Sequence, residues 1–141
     1  MVKVKEYTFE ECELGLEETF EVLVTEESLC KFKEITGDIN PMHVDKGYAQ
    51  GKGYKEELVY GMCTASFYST LVGMYLPGKN ALLLGVDIQF PKAVYVGDRL
   101  KVVGIIVERN EVYQRITIKA DIYNQEGKKV SRAKLTVGVL E

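Results

Sequence analysis

From Ala81 to Phe90 apolar and polar positions alternate, placing Leu82, Leu84, Val86, Ile88 and Phe90 on one side and predicting a strand. The same period recurs in four other stretches. Glu18–Val24 carries Phe20, Val22 and Val24, and Arg99–Arg109 follows a Gly97-Asp98 turn. Val112–Tyr123 places Val112, Ile116, Ile118, Ala120 and Ile122 together. Val130–Leu140, after a turn at Asn124–Gly127, sends Ala133, Leu135, Val137 and Val139 inward. Helical spacing takes over between these strands. Thr25 can cap a helix with Leu29, Phe32 and Ile35 as its apolar stripe and Gly37 as its stop. Asp45 reads as the cap of a short helix through Tyr48 and Ala49, ended by Gly51-Lys52-Gly53. Gly61–Leu76 is apolar nearly all the way round and closed by Pro77-Gly78, the pattern of a helix that something must wrap. Antiparallel strands with one buried helix make an α+β domain, a sheet curled about that helix. Its own chain leaves one sheet face uncovered at the strand edges, so a homodimer is expected.

Composition narrows the class. With 141 residues and a hydrophobic fraction of 46%, the chain is read as one domain, residues 1–141. A formal net charge of −3 gives no electrostatic case for nucleic acid or an anionic membrane surface. Cys12, Cys30 and Cys63 are odd in number with no CxxC pair, so neither disulfides nor zinc are expected and a cytoplasmic protein fits. The amino terminus turns acidic too soon for a signal peptide. The apolar run near 58–76 is too interrupted by Tyr, Ser, Thr and Gly to span a membrane. A metal site lacks a second histidine or a cysteine cluster, and there is no GxSxG elbow, GxGxxG or P-loop.

The candidate chemistry lies in Gly37-Asp38-Ile39-Asn40-Pro41-Met42-His43-Val44-Asp45, which holds the only histidine in the chain. On a continuous helix Asp38 and His43 would lie about 140° apart. Pro41 forbids that helix and pushes Asn40 toward an extended conformation, so a bent loop can turn both side chains to one site. Asp45 is better used as a cap than in catalysis. Gly61 opens the long helix, where unpaired N–H groups and a positive dipole end suit an anionic oxygen. Ser69, eight residues on, falls within about 80° of the same helix face. A carboxylate, an imidazole and an oxyanion donor suit addition or removal of water beside a carbonyl. Sequence leaves open which of Asp38 and His43 acts first.

These residues carry a resemblance. Gly37–Asp45, then Tyr48-Ala49, Tyr60-Gly61-Met62, Leu76-Pro77-Gly78-Lys79 and Tyr95-Val96-Gly97-Asp98 together resemble the MaoC-like, (R)-specific enoyl-CoA hydratase family along almost the whole chain. The resemblance implies the hot-dog fold and reversible syn hydration of a trans-2-enoyl thioester to an (R)-3-hydroxyacyl thioester. By it, Asp38 and His43 match the catalytic dyad and Asn40 its orienting neighbour. Gly61 matches the oxyanion-hole glycine, and Ser69 a serine near the catalytic histidine. No cofactor is implied beyond the coenzyme A or acyl carrier protein of the substrate. Lys79 and Lys92 are candidates to meet its phosphates, and Leu58, Tyr60, Met62 and Phe67 to line the acyl pocket. Family members usually carry His-Gly-Met where this chain has Tyr60-Gly61-Met62, so an altered substrate preference is expected. Hot-dog domains also serve as thioesterases or as non-catalytic acyl-thioester binders, the two alternatives.

Overall fold

Five strands form where the alternation places them: β1 (Glu17–Leu23), β2 (Ala81–Gln89), β3 (Arg99–Asn110), β4 (Arg115–Tyr123) and β5 (Lys129–Val139). The structure, a computed structural model, describes residues 2–141. The strands make one antiparallel sheet in the order β1-β3-β4-β5-β2. In register, Ile118 lies opposite Ile106 on β3 and Leu135 on β5, and Val102 opposite Ile122. All of these are buried, forming the apolar inner face of the sheet. Each such aliphatic side chain contributes on the order of 1.5–3 kcal/mol on burial.

Against this face lies α4 (Gly61–Thr70), prolonged by a π-helical turn over Leu71–Tyr75 in which Leu76 N–H reaches Leu71 O at 2.8 Å. Ala65, Tyr68, Leu71, Val72 and Leu76 are buried against the strands. The approach is close at Gly104 on β3, where an added Cβ would lie 2.7 Å from Leu71 Cδ2. The buried Tyr68 hydroxyl meets Ser131 Oγ at 2.9 Å, and Ser131 Oγ donates to Gln89 O, so this polar pair is satisfied. The sheet about one helix is the expected hot-dog arrangement.

Three smaller helices precede α4: α1 (Glu26–Thr36), α2 (Pro41–Val44) and α3 (Lys46–Gly51). Thr25, Asn40 and Asp45 cap them, each accepting from a backbone N–H in the first turn. Gly37 ends α1 in the left-handed region at φ 71°, where glycine carries no Cβ penalty.

Several details differ from the sequence reading. The loop between Asp38 and Asp45 contains one helical turn, α2, because Pro41 is well suited to a first helical position. Ile35 is 82% exposed: each step of three residues falls about 60° short of a full turn, so the row from Leu29 has rotated outward by then. Val112 belongs to the β3–β4 turn, not to a strand, and is exposed. On β2 a bulge between Leu83 and Gly85 interrupts the alternation, and the side that carries Leu82, Leu84 and Val86, with Phe90 just past the strand, is exposed. The long helix is not enclosed all round either: Met62, Ser66, Ser69 and Gly73 form an exposed stripe along it.

Candidate active site

The Asp38–His43 segment is fixed by bonds that depend on its short polar residues. Asp38 N–H donates to Thr36 Oγ1 at 3.2 Å, and Asn40 N–H donates to Asp38 Oδ1 at 3.0 Å. Asn40 Oδ1 in turn accepts from Met42 N–H at 2.9 Å. Asn40 thus orients Asp38 through its backbone and starts α2 through its side chain, which places His43 in the third position of the turn.

His43 is held from two sides. Its Nδ1 lies 2.8 Å from Leu58 O, and Leu58 N–H returns a bond to Met42 O at 3.0 Å. A carbonyl can only accept, so Nδ1 carries the proton and Nε2 of the neutral ring keeps the lone pair. The Tyr60 ring stacks on the imidazole, with centroids 4.2 Å apart, and packs against Phe32 on α1 at 5.0 Å. Tyr60 is buried, and its hydroxyl donates to Asp38 O at 2.7 Å. Burial, with the Asp38 charge nearby, pushes the Tyr60 phenol above its ordinary pKa, so it stays a donor through neutral pH. One side chain therefore positions both members of the pair.

Tyr60 is also the N-cap residue of α4, and unlike the caps of α1, α2 and α3 it supplies no side-chain bond. Cys63 N–H and Thr64 N–H fold back onto Tyr60 O at 3.0 and 3.1 Å. The first N–H of the helix, on Gly61, lacks a side-chain partner at the positive end of the dipole. A Cβ at Gly61 would sit 3.5 Å from the Phe90 ring, so that ring overlies the approach to the helix end.

A cavity of about 580 Å³ opens here, lined by His43, Gly61, Thr64, Phe90, Lys92 and Tyr95 among others. A second recess of about 340 Å³ shares His43, Gly61 and Phe90 with it and adds Asp38, Tyr60 and Met62. That volume suits a small organic ligand. The structure thus gathers Asp38, His43, Tyr60, Gly61 and Met62 at one place, with Asn40 behind them. It does not bring in Ser69, which is exposed two turns along α4 and lines neither recess. Of the two lysines, Lys92 lines the larger cavity, whereas Lys79 pairs with Glu6 at 3.2 Å. Two contributors escape sequence reasoning. The Leu58 carbonyl is backbone and leaves no residue-type signal. Thr64 could have been noticed as a threonine three residues past the helix-opening glycine.

This arrangement can bind a water between a carboxylate and an imidazole, beside a backbone donor for a developing anion. Comparisons with known proteins give the family. The chain is 32% identical over 96 residues to an (R)-specific enoyl-CoA hydratase of Aeromonas caviae, covering 68% of this chain and 72% of that protein. It is 31% identical over 105 residues to a 3-hydroxybutyryl-CoA dehydratase of Methylorubrum extorquens, covering 72% and 67%. The R-hydratase PhaJ1 of Pseudomonas aeruginosa, solved in the unliganded form, superposes with a TM-score of 0.90 at 29% identity, over 98% of this chain and 88% of that one. Residues 11–128 match the family model described as MaoC like domain. The chain belongs to the MaoC-like domain family.

Proposed function

We propose that the protein is a hydro-lyase that reversibly adds water to a trans-2-enoyl-CoA thioester, giving the (R)-3-hydroxyacyl thioester, with Asp38 and His43 handling the water. The observation that carries the residue assignment is the bond from His43 Nδ1 to Leu58 O. It leaves Nε2 as the basic nitrogen of a residue that lines one recess with Asp38 and Gly61. Asp38 holds the water and Nε2 takes one of its protons. The oxygen forms a bond to C3, the C2–C3 π pair moves toward C1, and negative charge collects on the thioester oxygen. Gly61 N–H meets that oxygen at the helix end. The charge then returns, C2 takes the proton back on the same face, and the pair ends as it began. Asn40 fixes Asp38, and Tyr60 fixes the Asp38 carbonyl and the His43 ring. Met62 borders the substrate. No cofactor is required beyond the carrier on the substrate, and Lys92 at the larger cavity is a candidate to meet its phosphates. Loss of the enoyl absorbance of crotonyl-CoA with no release of thiol tests the reading. Thiol release would establish a thioesterase instead.

The same proposal includes a homodimer. Its support is the free edge of β2, with exposed Leu82, Leu83, Leu84 and Val86, together with the exposed stripe Met62, Ser66, Ser69 and Gly73 on α4. Small residues on a helix let a second copy approach closely, and Ser69 would be covered there. We place the protein in the cytoplasm, since its cysteines are free and Cys30 is exposed.

A further inference from the structure

Thr64 is 1% exposed, and its Oγ1 has no hydrogen-bond partner. A helical threonine ordinarily bonds back to the carbonyl four residues earlier. That carbonyl, Tyr60 O, already accepts from Cys63 N–H and Thr64 N–H. A buried hydroxyl without a partner carries an uncompensated desolvation cost. Thr64 nevertheless lines the same cavity as His43 and Gly61. It lies three residues after Gly61, about 60° short of a full turn, and helical side chains lean toward the N-terminus. Its side chain therefore covers the turn that Gly61 opens, beside the uncapped end of α4.

We propose that the Thr64 hydroxyl is a second hydrogen-bond donor to the thioester oxygen, acting beside Gly61 N–H. This rests on the hydratase reading above. The oxygen has two lone pairs and gains charge as the hydroxyl group of water joins C3. A donor already stripped of water and bonded to nothing can meet that charge without giving up another partner. No covalent bond between protein and substrate is made or broken in this role; the hydroxyl keeps its proton throughout.

The test is hydration of crotonyl-CoA by wild type, Thr64→Val and Thr64→Ser, with thermal melting of each. Valine keeps the shape and removes the hydroxyl; serine keeps the hydroxyl. The expected result is a fall of about 10²-fold in kcat for Thr64→Val with little change in KM, as for loss of one oxyanion donor. Thr64→Ser should keep most of the activity. Thr64→Val should melt no lower than wild type, because it loses no bond within the protein. Wild-type kcat in Thr64→Val would overturn the proposal, as would equal losses in both variants. Should Thr64→Val fail to fold, Thr64→Ala decides: activity lost beside an active Thr64→Ser supports the donor, and activity retained overturns it. An inactive wild type would refute the hydratase reading and the donor together, whereas an active wild type matched by Thr64→Val refutes the donor alone.

Discussion

Tyr60 joins three pieces of the site with one side chain. Its hydroxyl holds the Asp38 carbonyl, its ring faces His43, and the same residue begins α4. Removing the hydroxyl in Tyr60→Phe leaves the ring stack and frees Asp38 O. The expected cost is about 1 kcal/mol in stability, typical of one hydrogen bond, together with a lower kcat as Asp38 loosens. Denaturant melts and crotonyl-CoA kinetics check both, and unchanged values in each would deny Tyr60 a positioning role. The same geometry bears on the Tyr60-Gly61-Met62 departure from the family's usual His-Gly-Met. Tyr60 spends its hydroxyl on the protein backbone, so any effect on substrate preference would run through the placement of Asp38. Comparable turnover of short enoyl thioesters by wild type and Tyr60→His would remove that expected preference.

At the level of elements, the π-helical turn that prolongs α4 lies close on the sheet where Leu71 sits over Gly104. Leu71 is fully buried, so a methyl at Gly104 must displace it or Ile118, whose Cγ2 would lie 3.2 Å away. Overpacking of this kind costs about 1–3 kcal/mol. Gly104→Ala is expected to lower the melting temperature while leaving kcat near wild type, because the strain falls far along the helix from Gly61. A melt unchanged from wild type would show that this contact is slack. The elements themselves were largely legible: caps at Thr25 and Asp45, the stop at Gly37 and the strand alternation all have local causes in short stretches of sequence. The π turn at Leu71–Tyr75 and the bulge at Leu83/Gly85 were not, since packing between distant segments decides them. At the site, Asp38 and His43 could be put forward from their chemistry and Gly61 from its place at a helix start, and the three line one recess. The Leu58 carbonyl could not, because its role is set by the chain crossing fifteen residues later.

For the molecule as a whole, the uncovered faces of β2 and α4 set the expectation of two chains. Alternation put Leu82, Leu84 and Val86 on one side of β2, and within one chain that side is exposed. Apolar side chains on a free strand edge are a pairing surface. Size-exclusion chromatography with light scattering should give twice the chain mass at micromolar concentration, and Leu84→Glu should shift it toward one chain. A wild-type monomer would contradict the dimer. Among the described residues, no helix is long and apolar enough to cross a membrane. Activation of water by Asp38 and His43 against an enoyl thioester is tested by the ultraviolet decay of crotonyl-CoA with wild type and Asp38→Asn in parallel. Asparagine is nearly isosteric and can still accept from Asn40 N–H, so the fold should survive while the carboxylate charge is lost. Rapid decay is expected with wild type and a loss of about 10²-fold or more in the variant. Equal decay rates from the two folded proteins would contradict it.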